Sequence, residues 1–158
     1  YPGCTGLKTG STSKAGFCIS VTAERDGFSL ICVIMGAESR DVRNASAVSL
    51  LDWGFANYGL YRAEGSDAET GGVKNSCALK YDVFSVVLPK AQIAGVEQRI
   101  MKPETVAAPI EKGDAIGSVG YYIDGRAIGQ VPLTASEEIA KISFFDILGR
   151  MLARFALI

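Results

Sequence analysis

Residues 16–36, GFCISVTAERDGFSLICVIMG, predict a β-hairpin. Two runs rich in β-branched and aromatic residues, 17–23 and 29–35, flank Asp26-Gly27, a pair that strongly favours a two-residue turn. The second run is apolar nearly throughout, which is typical of a strand covered on both faces. A further strand around residues 7–11 is expected to precede the hairpin, so the chain should begin with a small antiparallel sheet.

A helix is predicted to cover this sheet. Ser39 and Asp41 are both acceptable N-caps, and apolar residues then recur every three or four positions to about Tyr58, where Gly59 can end the helix. From residue 62 to residue 75 the composition changes to Gly, Ser, Asp, Glu and Thr, which indicates a linker between two domains. The apolar positions of the helix are Val42, Ala45, Val48, Leu51 and Phe55.

Short strands and tight turns dominate the second half of the chain. Breakers such as Lys112-Gly113-Asp114 and Asp124-Gly125 separate the apolar runs. Residues 136–158 return to a helical period. The sequence therefore predicts an α+β fold, in which a unit of antiparallel strands and a helix is followed by a small all-β module and a C-terminal helix. The candidate strands of the module are 81–88, 96–102, 115–123 and 126–133.

The composition excludes several classes of function. The 158 residues hold 16 basic and 17 acidic side chains, and this balance gives no field that would attract nucleic acid. Because histidine is absent, Ser-His-Asp and Cys-His nucleophiles and His-ligated metal sites are excluded. We expect no metal or organic cofactor, and a general base would have to be Lys, Asp, Glu or Tyr.

The four cysteines lack the spacing of a zinc or redox motif. Cys4, Cys18, Cys32 and Cys77 contain no Cys-x-x-Cys pair. We interpret them as buried thiols. Disulfide formation stays open, since four cysteines allow about three pairings and the sequence does not choose among them.

Lys8-Thr9-Gly10 lies at the start of the first predicted strand and is the main candidate for chemistry. An ammonium and a hydroxyl can hold an anionic group of a substrate, and the glycine lets a substrate backbone approach the strand edge. The same tripeptide is one of three elements of serine β-lactamases and penicillin-binding proteins. Taken alone, it more often marks a basic residue before an ordinary turn.

The residues around this tripeptide resemble those of the low-molecular-mass penicillin-binding D-alanyl-D-alanine carboxypeptidases. The resemblance covers nearly the whole chain. The residues that carry it are Pro2-Gly3, residues 5–10, T-x-K-A-G at 12–16, Leu30-Ile31 with Val33 and Met35-Gly36, Leu50-Leu51-x-Trp53-Gly54-Phe55, Pro109-Ile110-x-Lys112-Gly113, Asp124-Gly125 and Pro132-Leu133.

The resemblance implies an architecture. Residues 1–61 would be the C-terminal part of a β-lactamase/transpeptidase-like catalytic domain, 62–75 a linker, 76–137 a small β-sandwich-like domain and 138–158 an amphipathic helical tail. In this family a Ser-x-x-Lys with the nucleophile and a Ser-x-Asn loop precede Lys-Thr-Gly. The single Ser-x-x-Lys here, Ser11 to Lys14, follows the motif strand and is interpreted as a decoy, and no Ser-x-Asn occurs. The first residues, YPGCTG, contain no signal peptide and are expected to come from the middle of a longer protein.

The resemblance also implies roles for individual residues. Lys8 corresponds to the lysine that sets the field of the site, Thr9 to the hydroxyl that binds the substrate carboxylate, and the backbone N–H of Ser11 to an oxyanion-hole donor. Gly10 completes the motif. Arg43, at the start of the helix, lies where the family has an arginine that helps to bind the terminal carboxylate. The alternative for Arg43 is a solvated arginine on the helix surface.

The implied activity is that of a serine-type D-Ala-D-Ala carboxypeptidase. Such an enzyme forms an acyl-serine ester with the penultimate D-Ala of a peptidoglycan stem peptide, releases the terminal D-Ala and hydrolyses the ester, and β-lactams trap the same serine. It would act outside the cytoplasm, on the outer face of the cytoplasmic membrane. This chain would need the missing N-terminal portion of the same protein for the nucleophile. The alternatives are a non-catalytic envelope-binding module on the same scaffold and, with less support, a β-lactamase.

The C-terminal segment predicts a helix on the membrane surface. Asp146, Arg150 and Arg154 recur every four residues and form one polar line, whereas the rest of 144–155 is mainly apolar. A run of about 15 residues is too short to cross a bilayer and suits a helix that lies among the headgroups. Docking on the β module would satisfy the same pattern, and the family resemblance is what favours the membrane surface.

Overall fold

The computed structural model describes residues 1–70, 77–141 and 148, with residues 67–70 described by their backbone only. The chain divides into two compact units. The first consists of Tyr1–Arg62 and Ser85–Val96, and the second of Ala63–Phe84 and the described residues from Glu97 onward. The chain therefore passes from the first unit to the second, returns, and then enters the second unit again.

The described residues form ten strands and two helices. The strands lie in three sheets of three, five and two strands. The strands are β1 (Cys4–Thr12), β2 (Gly16–Arg25), β3 (Phe28–Ala37), β4 (Tyr58–Ala63), β5 (Asp67–Thr70), β6 (Cys77–Tyr81), β7 (Phe84–Pro89), β8 (Glu97–Met101), β9 (Ala115–Ile123) and β10 (Arg126–Ala135). The helices are α1 (Arg40–Asn57) and α2 (Lys90–Ile93).

The predicted hairpin and the strand before it are confirmed. The first unit has an antiparallel sheet in the order β1-β2-β3. Asp26 and Gly27 both have positive φ angles, 51° and 74°, as a two-residue hairpin turn with strongly twisted strands requires. Arg25 pairs with Phe28 directly across this turn. The turn residues therefore set the register of β2 against β3 next to the turn.

The prediction that β3 is covered on both faces is met on one face only within the described residues. Phe28 and Cys32 are buried against the core, but Ile31 and Met35 are 73% and 79% exposed. Side chains alternate between the two faces of a strand, and α1 packs on one face only. Within the described residues, the other face of β3 has no covering layer.

Helix α1 begins where the sequence predicts. Ser39 is the N-cap, and its hydroxyl oxygen accepts a hydrogen bond from the backbone N–H of Val42 at 3.2 Å. The helix ends at Asn57, and Gly59, the expected stop, lies in β4. The extended backbone of Tyr58 therefore ends the helix one residue before that glycine.

The buried face of α1 differs from the prediction. Leu51 and Phe55 are buried as expected, whereas Val42 and Val48 are 48% and 41% exposed, and Ala45 is exposed too. The reason is a close approach of the helix to the sheet, because a Cβ atom added to Gly54 would lie 2.6 Å from Leu30 Cδ1. Small residues therefore help to decide which face meets the sheet. The buried residues of the helix are Arg43, Ala47, Leu51, Gly54 and Phe55.

Side chains around Arg25 hold the first residues of the chain against α1. The guanidinium carbon of Arg25 lies 4.8 Å from the ring centroid of Tyr1 and 4.5 Å from that of Phe55. The Tyr1 hydroxyl donates a hydrogen bond to Asp52 Oδ1 at 2.7 Å, and Arg25 pairs with the same carboxylate at 3.8 Å. Desolvation and this hydrogen bond raise the pKa of Tyr1. The residues that lead into β1 are therefore held against the helix.

The segment 81–88 does not form the single strand predicted. The chain leaves one strand at Tyr81 and starts another at Phe84. Strand β6 pairs with β5 and β10, whereas β7 pairs with β4 in a two-stranded sheet. Hydrophobic periodicity carries no information about a change of sheet, so the break at residues 82–83 was missed. The single turn of α2 was missed as well.

The second unit is built on one five-stranded antiparallel sheet in the order β5-β6-β10-β9-β8. Strand β9 has the predicted bounds, and Asp124-Gly125 forms the predicted turn with positive φ angles of 49° and 78°. The rings of Phe84 and Tyr121 stack with centroids 4.1 Å apart. The largest fully buried side chains are Tyr121, Leu79, Leu133 and Val119. The antiparallel strands of the predicted β module are thus observed, but the module is not contiguous, because Ser85–Val96 belongs to the first unit.

The predictions of a linker, a β-sandwich and a C-terminal helix have different outcomes. Strand β5 lies inside 62–75, the expected linker, because it pairs with β6. A second sheet, which a sandwich needs, is absent from the described part of this unit. The helical pattern of 144–155 falls outside the described residues apart from residue 148, which is helical. Over the ranges that the structure covers, no helix is both long and apolar enough to cross a bilayer. The domain boundaries themselves stay a prediction.

All four thiols are free. Cys32 and Cys77 are buried as predicted, and burial raises the pKa of each thiol. Cys18 is half-buried, and Cys4 is exposed. The interpretation as buried thiols is therefore wrong for Cys4, because β1 is an edge strand with most of its side chains in solvent.

Candidate functional site

The Lys-Thr-Gly motif lies in β1, at the edge of the first sheet. Lys8, Thr9, Gly10 and Ser11 are all exposed. On one side this strand pairs with β2, where Thr9 is opposite Ile19. Its other side has no strand partner among the described residues. The backbone groups on that side are available to an extended peptide, which can add to a sheet edge by main-chain hydrogen bonds.

The polar side chains of the motif lie on both faces of this edge. Side chains alternate along a strand, so Lys8 lies on one face and Thr9 on the other. The Lys8 ammonium donates a hydrogen bond to the Thr9 carbonyl oxygen at 2.9 Å, which folds the side chain back along its own strand. A cation and a hydroxyl therefore border the free edge, a combination that suits an anionic group of a bound peptide.

Gly10 leaves open space beside the strand. A Cβ atom placed on it would meet no atom within 4 Å, and its φ angle lies outside the left-handed region. Neither packing nor backbone strain among the described residues therefore requires glycine here. A close approach of another backbone is the remaining physical reason for glycine at this position.

The Ser-x-x-Lys of Ser11 to Lys14 lies at the end of β1 and in the following turn, not on a helix. The backbone N–H of Ala15 donates to Thr12 Oγ1 at 2.9 Å, and Gly16 has a φ angle of 65°. A Cβ atom on Gly16 would lie 2.9 Å from the carbonyl oxygen of Ala37. The turn is thus fixed by its own hydrogen bond and by contact with the end of β3.

A shallow hollow lies beside this turn, and sequence reasoning missed it. Residues 11–17 and 36–38 line the hollow, which has a volume of about 650 Å³ and which we call the turn hollow. It contains one basic and one acidic side chain, Lys14 and Glu38, both exposed. Gly36, with a φ angle of 71°, was the available signal, because it ends an apolar strand just before a helix cap.

Arg43 lies in the first turn of α1 and is only 9% exposed. Its Nε and Nη2 atoms donate to Asn44 Oδ1 at 3.1 Å and 2.9 Å. The alternative of a solvated surface arginine is therefore wrong. No hydrogen bond or ion pair joins Arg43 to residues 8–11 in the part of the chain that the structure describes, so the structure does not bring the two candidate groups into contact.

The opposite edge of the sheet borders an apolar groove within the first unit. It has a volume of about 520 Å³ and lies along β3 and α1, where Trp53 and Leu50 are 56% and 47% exposed. The groove and the uncovered face of β3 both leave apolar side chains of the first unit exposed. Within the described residues, no group of His, Cys, Asp and Glu side chains could hold a metal ion.

Comparisons with known proteins agree with the resemblance stated above. Residues 70–141 match the family described as penicillin-binding protein 5, C-terminal domain. A D-alanyl-D-alanine carboxypeptidase of Bacillus subtilis is 29% identical over 158 residues, which cover 95% of this chain and 41% of that protein. A D-alanyl-D-alanine carboxypeptidase of Haemophilus influenzae is 31% identical over 150 residues, which cover 89% of this chain and 38% of that protein.

The structural comparison leads to the same group. The crystal structure of penicillin binding protein 5 from Haemophilus influenzae superposes with a TM-score of 0.68 and 30% identity, over 89% of this chain and 43% of that one. The chain thus spans about two fifths of the length of the curated relatives it matches. Over most of its length the chain is thus similar to the C-terminal region of D-alanyl-D-alanine carboxypeptidases, and residues 70–141 match the penicillin-binding protein 5 C-terminal domain.

Proposed function

We propose that residues 1–61 complete the catalytic domain of a serine-type D-Ala-D-Ala carboxypeptidase that also binds β-lactams. The observation that carries this proposal is the exposed edge strand with Lys8, Thr9 and Gly10 beside open space. The serine nucleophile with its lysine and the Ser-x-Asn loop come from the N-terminal portion of the same protein. This chain alone is therefore expected to be inactive.

In this proposal, the substrate is a peptidoglycan stem peptide that ends in D-Ala-D-Ala. It adds to the free edge of β1 as an extended strand. Thr9 donates its hydroxyl hydrogen to the terminal carboxylate, the Lys8 ammonium supplies positive charge beside it, and the Ser11 N–H donates to the scissile carbonyl oxygen. The serine oxygen attacks that carbonyl carbon, the terminal D-Ala leaves, and water hydrolyses the ester.

Arg43 is the second candidate for the terminal carboxylate. Its guanidinium is planar and suited to two parallel hydrogen bonds with a carboxylate. The two bonds to Asn44 hold the planar group in one orientation at the start of α1. We propose that an Nη donor left over by Asn44 serves the substrate, with no change in the helix.

The uncovered apolar surface supports the presence of further domain structure. Ile31, Val33 and Met35 are all more than half exposed on one face of β3. Surface of this kind is costly in water, at about 25 cal/mol per Å² of apolar area, and normally packs against another layer. We propose that the missing N-terminal portion of the catalytic domain covers it.

The proposal also includes the cellular location of the protein. The enzyme acts on peptidoglycan, and relatives of this chain are named as D-alanyl-D-alanine carboxypeptidases, which supports an extracytoplasmic protein at the outer face of the cytoplasmic membrane. Residues 138–158 attach it to the membrane surface as an amphipathic helix. Residues 62–75 are proposed as a linker and residues 76–137 as a small β domain.

Labelled penicillin tests the proposed function. Full-length protein should become covalently labelled and should release D-Ala from a stem pentapeptide, whereas residues 1–158 alone should do neither. Labelling is read on a denaturing gel, and D-Ala release by a coupled assay. A full-length protein that takes up no label would support the non-catalytic envelope-binding module instead.

Gly10→Ala should separate substrate binding from folding. The new methyl group finds space in the chain described here, so the free energy of unfolding should stay equal or rise by less than about 1 kcal/mol. On the free edge the methyl group would push a substrate backbone away, and acylation by labelled penicillin should slow by about tenfold or more. The matched control is Gly95→Ala, also exposed in the first unit, which should change neither quantity. Unchanged acylation in Gly10→Ala would rule out a backbone approach at this edge.

A further inference from the structure

The strand register places the start of α1 at the same end of the first sheet as Ser11. Ser11 pairs with Phe17 on β2, and Phe17 pairs with Ala37, the last residue of β3. Three positions after Ala37, Arg40 begins the helix. The first turn of α1, which contains Arg43, therefore begins at the end of the sheet towards which the Lys-Thr-Gly strand runs.

Thr9 lies on the face of this sheet that α1 covers. It is directly opposite Ile19 on β2, and Ile19 is directly opposite Ile34 on β3. Residues that are directly opposite on neighbouring strands share one face of a sheet. Both isoleucines pack against the core cluster that includes Leu51 of the helix. A carboxylate bound by the Thr9 hydroxyl would therefore be on the helix side of the sheet.

Arg43 is a nearly buried cation whose hydrogen-bonding partner carries no charge. Its Nε and Nη2 atoms donate to Asn44 Oδ1 at 3.1 Å and 2.9 Å. Within the described residues, no Asp or Glu forms an ion pair with this guanidinium, and its Nη1 atom makes no hydrogen bond. Burial of a cation beside a neutral group costs free energy, because the charge loses water without gaining an opposite charge. A bound anion would supply that missing charge.

Asn44 has the shape of an aspartate without the charge of an aspartate. Because a guanidinium only donates hydrogen bonds, the Asn44 atom that faces Arg43 has to be its oxygen. An aspartate could accept the same two bonds and would be the stronger partner, but it would neutralise the guanidinium within the chain. Asn44 is itself exposed, so its burial does not demand a neutral side chain. The amide thus orients the guanidinium and leaves its charge uncompensated.

We infer that Asn44 is a positioning residue for recognition of the substrate's terminal carboxylate. It holds the guanidinium of Arg43 in one orientation and, because it is neutral, leaves the positive charge of that group to the substrate. Asn44 acts through Arg43 and does not itself touch the substrate. The inference rests on the proposed function, in which Thr9 and Arg43 bind this carboxylate. A leaving group that carries a carboxylate gains from this arrangement, whereas a neutral leaving group does not.

The test measures kcat and KM of full-length protein for two substrates. One is an acetylated tripeptide X-D-Ala-D-Ala, and the other is a thioester of the same acetylated X-D-Ala with benzyl thiol, whose leaving group has no carboxylate. Asn44→Asp should raise KM for the peptide by about fivefold to tenfold and change kcat little, because an added charge at an exposed position has a modest effect on binding. KM for the thioester should stay unchanged. Asn44→Ala should raise KM for the peptide less than Asn44→Asp does, since the charge of Arg43 remains available.

Stability and a matched variant separate the effect of charge from a structural effect. An aspartate at position 44 keeps both acceptor bonds, so the free energy of unfolding should not fall in Asn44→Asp, whereas it should fall in Asn44→Ala. Asn57→Asp adds the same charge at an exposed position at the other end of α1, about 20 Å away at about 1.5 Å per residue. It should leave KM for both substrates unchanged.

The outcomes distinguish this inference from the proposed function. A larger rise of the peptide KM in Asn44→Ala than in Asn44→Asp would show that Asn44 acts only by orienting its neighbour. Equal rises of KM for peptide and thioester, or no rise for either, would also overturn the inference while leaving the enzyme intact. A wild-type protein that penicillin does not acylate would overturn the proposed function and the role of Asn44 together.

Discussion

Lys8→Ala in the full-length protein is expected to slow acylation by labelled penicillin by about two orders of magnitude or more, as is typical when a preorganised charge is removed from a transition-state site. The ammonium lies at the free edge of β1, and among the described residues its one hydrogen bond is to the adjacent Thr9 carbonyl oxygen. Its positive charge is therefore available to the substrate carboxylate and to the developing oxyanion. Acylation rates should be measured by stopped mixing and gel quantification.

The fold should survive this change. Lys8 is exposed, and surface substitutions of this kind usually alter stability by less than about 0.5 kcal/mol. Lys8→Arg keeps the charge and should retain a larger part of the rate than Lys8→Ala. Lys80→Ala, an exposed lysine of the second unit, should acylate at the wild-type rate. If Lys8→Ala acylated normally, Lys8 would be an ordinary surface residue and the assignment of the motif would fail.

Local signals explain why so much of the first sheet could be predicted. Asp26-Gly27 favours positive φ angles at both positions, which only one class of hairpin turn accepts. Ser39 offers a hydroxyl to the first turn of α1, and the structure has that bond. Each of these signals involves residues that are only a few positions apart in the sequence. The bounds of β9 follow in the same way from the turn at Asp124-Gly125.

The errors all concern partners distant in sequence. The face of α1 that is buried depends on where Gly54 allows the helix to approach Leu30. The break between β6 and β7 depends on which sheet each strand joins. Ile31 and Met35 are exposed because no described residue packs on their face of β3. Hydrophobic periodicity records only that a residue is apolar, so it cannot supply these facts.

The same distinction between local signals and distant contacts applies to the candidate site. The sequence was sufficient to select Lys8, Thr9 and Gly10, and the structure adds that they lie on a free edge. It was not sufficient to find the turn hollow, since residues 11–17 and 36–38 line the same hollow only because β1, β2 and β3 fold as one sheet. The burial of Arg43 likewise depends on the contact of α1 with the sheet.

Leu133→Ala should have the largest effect on stability. Leu133 is fully buried in β10, between β6 and β9, where the second unit has its core. Truncating a buried leucine removes its transfer free energy and leaves a cavity, at a cost of about 2–5 kcal/mol. Because small domains have only about 5–15 kcal/mol of stability, this is a large part of the total. At about 4–8 °C per kcal/mol, the unfolding transition of the second unit should fall by at least about 8 °C.

Ile100→Ala provides the matched control, because it removes the same number of carbon atoms from the edge strand β8, where Ile100 is 47% exposed. Ile100→Ala should lower the free energy of unfolding by less than about 1 kcal/mol. Calorimetry on full-length protein gives the transitions, and native-state hydrogen exchange assigns each one to β9 and β10 or to β1 and β2. If the proposed boundary between catalytic and β domains is correct, Leu133→Ala should reduce protection in β9 and β10 alone and leave penicillin acylation at 25 °C unchanged. Equal loss of protection in β1 and β2, with slower acylation, would show instead that the two units unfold as one cooperative structure.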